Sequence, residues 1–183
     1  MEEMQGLDML IKKCQQKNVK AFDELYKKFA PMVYGICLRY TKNIEEAKDL
    51  MQDNFIKILE KIDEYQFKGS FEGWIRKTTI NNAINYLKIN KKYFSGEIEN
   101  VESDEKFTEN TYVEKMNAKE LIKIINKLPS GYRTIFNLFA IEGFTHAEIA
   151  DMLEIDASTS RTQFKKAKKA IINLLKQENY ERF

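Results

Sequence analysis

Residues 145–169 read T-H-A-E-I-A-D-M-L-E-I-D-A-S-T-S-R-T-Q-F-K-K-A-K-K. Thr145 and Glu148 stand at capping-box spacing, where two orphan amides of a helix start are satisfied reciprocally. Ile149, Ala150 and Leu153 supply an apolar face at helical period. Glu154 to Ala157 leaves room only for a tight connection. Ser158 and Thr159 then start a second helix that runs to about Gln177. A short helix, a tight turn and a basic second helix make a helix-turn-helix. In that register Phe164, Ala167, Ile171 and Leu174 or Leu175 face the core. Ser158, Thr159, Arg161, Thr162, Lys165 and Lys166 face outward. The second helix of such a motif enters a DNA major groove with its early residues nearest the bases. An arginine there can bind guanine bidentately, and lysines can neutralise phosphates.

Charge supports this reading. The chain has 183 residues and a net charge of only +2. Residues 157–176 nevertheless hold six basic residues and no acid, whereas residues 95–114 hold seven acids and one lysine. A basic stripe on a helix is the footprint of a nucleic-acid reader, although a solvated lysine face looks the same in composition.

Upstream of the motif, Leu121, Ile124, Ile125 and Leu128 mark one helix face. Leu128-Pro129-Ser130-Gly131 breaks it. The next helix is predicted over Tyr132–Glu142, closed by Gly143 in a left-handed cap. Residues 93–115 show no periodicity and repel themselves, so a flexible acidic linker is expected. Its roughly 20 residues reach up to about 66 Å when extended.

A first helical block covers residues 1–92. Leu7, Leu10, Ile11 and Cys14 repeat at helical spacing, then Phe22, Leu25, Tyr26 and Phe29, then Val33, Ile36, Cys37 and Tyr40. Pro31 is expected to kink or divide that stretch. Asn43 is a candidate cap, with Glu45 and Glu46 in the following turn. Ala47, Leu50, Met51, Phe55, Ile58, Leu59 and Ile62 mark a long amphipathic helix. Residues 65–70, Y-Q-F-K-G-S, read as a loop, and a last helix is predicted from Phe71 to Asn90. The fold class is therefore all-α: two small helical domains, 1–92 and 116–183, joined by the linker.

Composition narrows the function. Seven glycines and two prolines are too few for a sandwich or barrel. Two separated cysteines and a single histidine support no disulfide scaffold, no metal site and no histidine-centred catalysis. No cofactor and no small-molecule substrate is expected. No run of 18 apolar residues exists, so membrane insertion is not expected. The acidic, amphipathic start M-E-E-M-Q-G-L-D-M-L-I-K-K-C is unlike a signal peptide, which makes a cytoplasmic location the expectation.

Taken together, the motifs resemble those of extracytoplasmic-function (ECF, group 4) sigma factors of bacterial RNA polymerase. A-F-D-E-L-Y-K-K-F-A-P-M-V-Y-G-I-C-L-R-Y-T, Ala21–Thr41, resembles the family's opening helices. D-L-M-Q-D-N-F, Asp49–Phe55, resembles its D-L-x-Q-E-x-F signature. Gly69–Lys88 resembles the promoter-melting segment, with Thr78-Thr79 where Ile-Ala is common. L-P-S-G-Y-R-T-I-F-N-L, E-G-F-T-H-A-E-I-A-D-M-L and S-T-S-R-T-Q-F-K-K-A-K-K-A-I follow the pattern of its last domain. The likeness covers residues 18–90 and 119–176.

This resemblance implies binding partners and roles. Core RNA polymerase would dock on Asp49, Gln52, Asp53 and Phe55. A flipped base of the minus-ten promoter element would be held by Phe67, Lys68, Gly69, Ser70 and Asn81, with Lys77 and Lys88 on the backbone. Trp74 matches the family tryptophan and reads better as an anchor for loop and helix than as a stacking surface. Ser158, Thr159, Arg161, Thr162, Lys165 and Lys166 would read the minus-thirty-five element. An anti-sigma factor is a further implied partner, and no enzymatic role is implied. The rival reading is a two-domain helix-turn-helix regulator that acts without polymerase docking. A helical adaptor with a solvated lysine face is a third. An enzyme is the weakest, since Asp49 and Asp53 have no accompanying base, phosphate loop or ligand cluster.

Overall fold

The structure is a computed structural model that describes residues 2–90 and 118–180. It separates into two compact units, Met1–Tyr86 and Leu87–Phe183. The expected acidic linker, 93–115, lies outside the described residues. Among the described residues every regular element is helical.

In the first unit, α1 (Glu2–Gln15) buries Leu10, Ile11 and Cys14. Its exit is a tight cap: Lys17 has φ +62°, and the Asn18 amide donates to the Lys13 carbonyl at 3.0 Å. Asn18 then caps α2 (Val19–Tyr40), its Oδ1 accepting from the Ala21 amide at 3.0 Å. Ala21, Leu25, Phe29, Val33, Ile36, Cys37 and Tyr40 are its buried stripe.

Pro31 does not divide α2. Pro31 and Lys27 are both exposed, so the Lys27 carbonyl, which loses the donor proline lacks, can turn to water. Asn43 caps α3 (Ile44–Lys61) as expected, accepting from the Glu46 amide at 2.8 Å. That helix buries Ala47, Leu50, Asn54, Phe55 and Ile58. The buried Asn54 amide donates to the Leu50 carbonyl at 2.8 Å.

A short 3-10 turn, Ile62–Glu64, and residues 65–70 lead into α4 (Phe71–Ile89). There Thr79, which departs from the family pattern, is buried. Its hydroxyl donates to the Ile75 carbonyl at 2.8 Å, so no polar group is orphaned. The two cysteines serve as small core residues. Burial pushes the Cys14 thiol up to about 11 and the Cys37 thiol to about 12.

In the second unit, α5 (Ala118–Lys127) ends at Leu128-Pro129. Ile124, Ile125 and Leu128 meet Ala167, Ile171 and Leu175 in one cluster, flanked by Tyr132, Phe136, Ala170 and Leu174. Buried Arg133 donates to the Asn126 carbonyl at 3.3 Å, next to the end of α5.

The helix predicted over Tyr132–Glu142 is not uniform. It starts earlier, as α6 (Ser130–Phe136), and widens into a π-helical turn over Asn137–Ile141. The Glu142 amide there reaches the Asn137 carbonyl at 2.9 Å. Asn137 and Leu138 are both buried in that turn. Gly143, at φ +79°, turns the chain toward α7 (His146–Leu153), and α8 spans Ala157–Tyr180.

Candidate nucleic-acid and polymerase interfaces

The helix-turn-helix is set by short-range bonds. Thr145 Oγ1 accepts from the Glu148 amide at 3.2 Å, and Glu148 Oε2 accepts from the Thr145 amide at 2.8 Å. The predicted capping box is therefore complete. Glu154 adopts φ +57° to end α7, its amide donating to the Ala150 carbonyl. The Ile155 amide donates to the same carbonyl at 3.1 Å. Helix α8 begins at Ala157, one residue before the predicted start, which puts Ser158 and Thr159 in its first turn.

A contact that sequence reasoning missed ties the two helices together. Ser160 is fully buried, and its hydroxyl hydrogen-bonds His146 Nδ1 at 2.9 Å. The imidazole stacks on Phe139 with ring centres 4.2 Å apart, and Phe164 closes the group at 4.5 Å from Phe139. Desolvation, then the nearby Arg161 charge, holds His146 below its ordinary value. The signal was present as a histidine just after the cap and a serine at position 160, but nothing local tied them together.

With α8 seated this way, Ser158, Arg161, Thr162, Lys165 and Lys166 are exposed and Thr159 is half-buried. The first five form an outward face over about two turns, suited to a groove of major-groove width.

The loop of the first unit is a shelf of aromatic rings. Tyr65 lies 4.9 Å from Phe71 and 5.8 Å from Trp74, and Phe71 stacks on Trp74 at 5.6 Å and 12°. Trp74 is half-buried in that stack. Tyr65 and Phe71 were not singled out from sequence; they read only as the first residue of the loop and the first of the helix after it. Phe67, Lys68, Gly69 and Ser70 are all exposed on the shelf's rim. Ser70 Oγ accepts from the Gly73 amide at 3.3 Å, so its hydroxyl also supports the start of α4.

Along α4, Trp74, Asn81 and Lys88 recur at seven-residue spacing, with Lys77 between the first two. They line one edge of the helix for about 21 Å. Lys77 and Asn81 are exposed and Lys88 is half-buried in the last turn.

On α3, Asp49, Gln52 and Asp53 form an exposed edge. Phe55 does not join it. It is 6% exposed and packs on Tyr26 with ring centres 4.5 Å apart, so it seats the helix instead of presenting a contact. Ile56, 54% exposed, is the apolar residue that continues this edge, one turn beyond Gln52 and Asp53. No pattern marked it, because an isolated exposed isoleucine is ordinary.

Two family profiles match this chain, "Sigma-70 region 2" over residues 25–93 and "Sigma-70, region 4" over residues 118–171. The chain belongs to the sigma-70 family, in its ECF branch.

Full-length relatives agree with that placement of the sigma factor. The ECF RNA polymerase sigma-E factor of Haemophilus influenzae is 26% identical over 175 residues, spanning 90% of this chain and 92% of the relative. The ECF RNA polymerase sigma factor SigW of Bacillus subtilis is 26% identical over 181 residues, with 90% and 96% covered. SigE of Mycolicibacterium smegmatis is 25% identical over 170 residues, 91% of this chain but 66% of that longer protein. In fold, this sigma factor is similar to RpoE of Bartonella quintana, solved in complex with the anti-sigma factor NepR. The TM-score is 0.53 at 19% identity, with 86% of this chain and 98% of the other covered. The region 2 match begins after α1, and the region 4 match takes in the whole exposed front of α8.

Proposed function

We propose that this sigma factor directs core RNA polymerase to promoters of defined sequence and assists strand opening there, with a separate surface for each task. Asp49, Gln52 and Asp53, extended by Ile56, are the docking edge for polymerase. The acids suit a basic partner helix, and the isoleucine supplies apolar contact area. The rim Phe67–Ser70 and Asn81 accept an unpaired base of the minus-ten element by stacking and edge hydrogen bonds. Asn81 offers both a donor and an acceptor for that purpose. Lys77 and Lys88 neutralise the strand's phosphates. Arg161 and Thr162 read duplex bases of the minus-thirty-five element, while Lys165 and Lys166 hold its backbone.

The observation that carries this reading is the presence, on one chain and in order, of region 2 and region 4 together with an outward-facing basic helix α8. No covalent step is required of the chain. It supplies binding free energy, and two modest DNA contacts gain from their shared tether. Bartonella RpoE is bound to an anti-sigma factor. An inhibitor of that kind is a proposed partner here too.

Runoff transcription with core polymerase and a randomised promoter library tests the proposal. Start sites confined to a few related sequences, dependent on this protein, are expected. The rival regulator predicts tight, salt-dependent duplex binding by the isolated protein and no polymerase-dependent start.

A further inference from the structure

The loop that carries Phe67 holds a backbone its own residues disfavour. Phe67 has φ +58° and Gly69 has φ +80°. Glycine enters this left-handed region freely, whereas an aromatic residue rarely does. Such a conformation persists only where its surroundings over-determine it. Part of that surrounding comes from α1. Gln15 Nε2 donates to the Ile62 carbonyl at 3.0 Å and to the Tyr65 carbonyl at 3.1 Å, across 47 and 50 residues of sequence. Lys12, one turn earlier, holds its ammonium 5.5 Å from the centre of the Phe67 ring, within cation–π range. Lys17, in the exit turn, pairs with Asp63 at 2.7 Å. Within the loop the Tyr65 hydroxyl donates to the Gly69 carbonyl at 2.9 Å, and the Tyr65 and Phe67 rings lie 5.2 Å apart.

We propose that α1 is a strap that sets the base-accepting shape of residues 65–70, with Gln15 as its positioning residue. The proposal rests on the reading of that loop as the seat of an unpaired base. The Ile62 carbonyl also accepts from the Tyr65 amide at 3.2 Å. Gln15 therefore does not create the turn; it fixes where the chain leaves it. The Lys17–Asp63 pair is exposed and contributes little. Without Gln15 the rim samples other conformations, and a base must order it before binding, which lowers apparent affinity by the populated fraction. The loss falls on the single-strand step alone.

The test uses full-length protein bound to core polymerase and a promoter selected by the wild-type holoenzyme. Affinity is measured for a forked template with a single-stranded minus-ten element, and for the same template with an abasic site at the base the loop reads. Gln15→Leu keeps the bulk and removes both donors. It should lose about tenfold of the discrimination between the two templates, the scale of one to two net hydrogen bonds. Capture by core and affinity for the upstream duplex should not change. Phe67→Ala should lose discrimination as well, and the double variant no more than Phe67→Ala alone, because Gln15 acts through the loop.

Should Gln15→Leu fail to fold, Lys12→Met replaces it, with an expected loss of about two- to fivefold. Wild-type discrimination in the folded Gln15 or Lys12 variant, or additive losses in the double variant, overturns the strap. If Phe67→Ala itself discriminates normally, the base-seat reading has failed first.

Discussion

The two surfaces proposed to meet DNA are held in opposite ways. The helix-turn-helix is closed by partners near in sequence: Thr145 with Glu148, the Glu154 amide with Ala150, and His146 with Ser160 only 14 positions on. The aromatic rim of the first unit is closed by partners far away, such as Gln15 with Tyr65 across 50 residues and Phe29 with Phe71 at 5.7 Å between ring centres. The difference fits the tasks proposed for them. A duplex reader presents a rigid helix face, which local capping and one buried bond can fix. A seat for an unpaired base needs an irregular backbone, and irregular backbone is stable only when packed against something else.

If that contrast is right, the largest effect belongs to the aromatic shelf. Phe71→Ala removes a buried ring that touches Phe29, Tyr65 and Trp74. It should cost the first unit about 3–5 kcal/mol in denaturant unfolding. Unfolding followed by hydrogen exchange should show α7 and α8 unchanged. Equal loss of protection in α8 would break the comparison.

Next is Arg161→Ala. The side chain is exposed on α8, so folding should hardly change. Discrimination at one upstream promoter position should fall by about 1–3 kcal/mol if the contact is bidentate. An equal loss on every promoter sequence would make it a phosphate contact instead.

Thr145→Ala probes the local closure directly. Loss of the cap should cost about 1 kcal/mol, seen as a lower melting point of the helix-turn-helix and no change in single-strand binding by the rim.

The smallest expected effect is on pH dependence. His146 is held below its ordinary value of about 6.5, first by desolvation and then by Arg161. The unfolded chain therefore binds the proton at higher pH than the folded one. Stability from the neutral imidazole is complete above the unfolded value and is lost as pH falls from there toward the folded value. Thermal melts of wild type and His146→Gln between about pH 7.5 and 5 should diverge at the neutral end and converge on acidification. Parallel curves would show that the His146–Ser160 bond carries no charge preference.

The same contrast explains what could be read from the chain before its structure. Capping at Asn43 and Thr145, the apolar face Ile149–Leu153 and the outward face of Arg161, Thr162, Lys165 and Lys166 are written in spacings of three and four residues. Period and capping chemistry act within one helical turn, so the residues that decide them are neighbours in sequence. Pro31 looked like a break because the rule for proline is local too. Its exposed position, which makes it tolerable, is a property of how α2 packs.

An all-α chain with a capped, basic helix-turn-helix and an acidic edge on α3 could be read from residue spacing alone. It took the packed helices to show that Ile56 stands outward beside Asp53, that Asn137 and Ser160 are buried, and that Gln15 reaches the loop at Tyr65. The reason is physical: helix formation and capping depend on contacts within a few residues, whereas burial and long-range hydrogen bonds depend on which faces meet once the helices assemble.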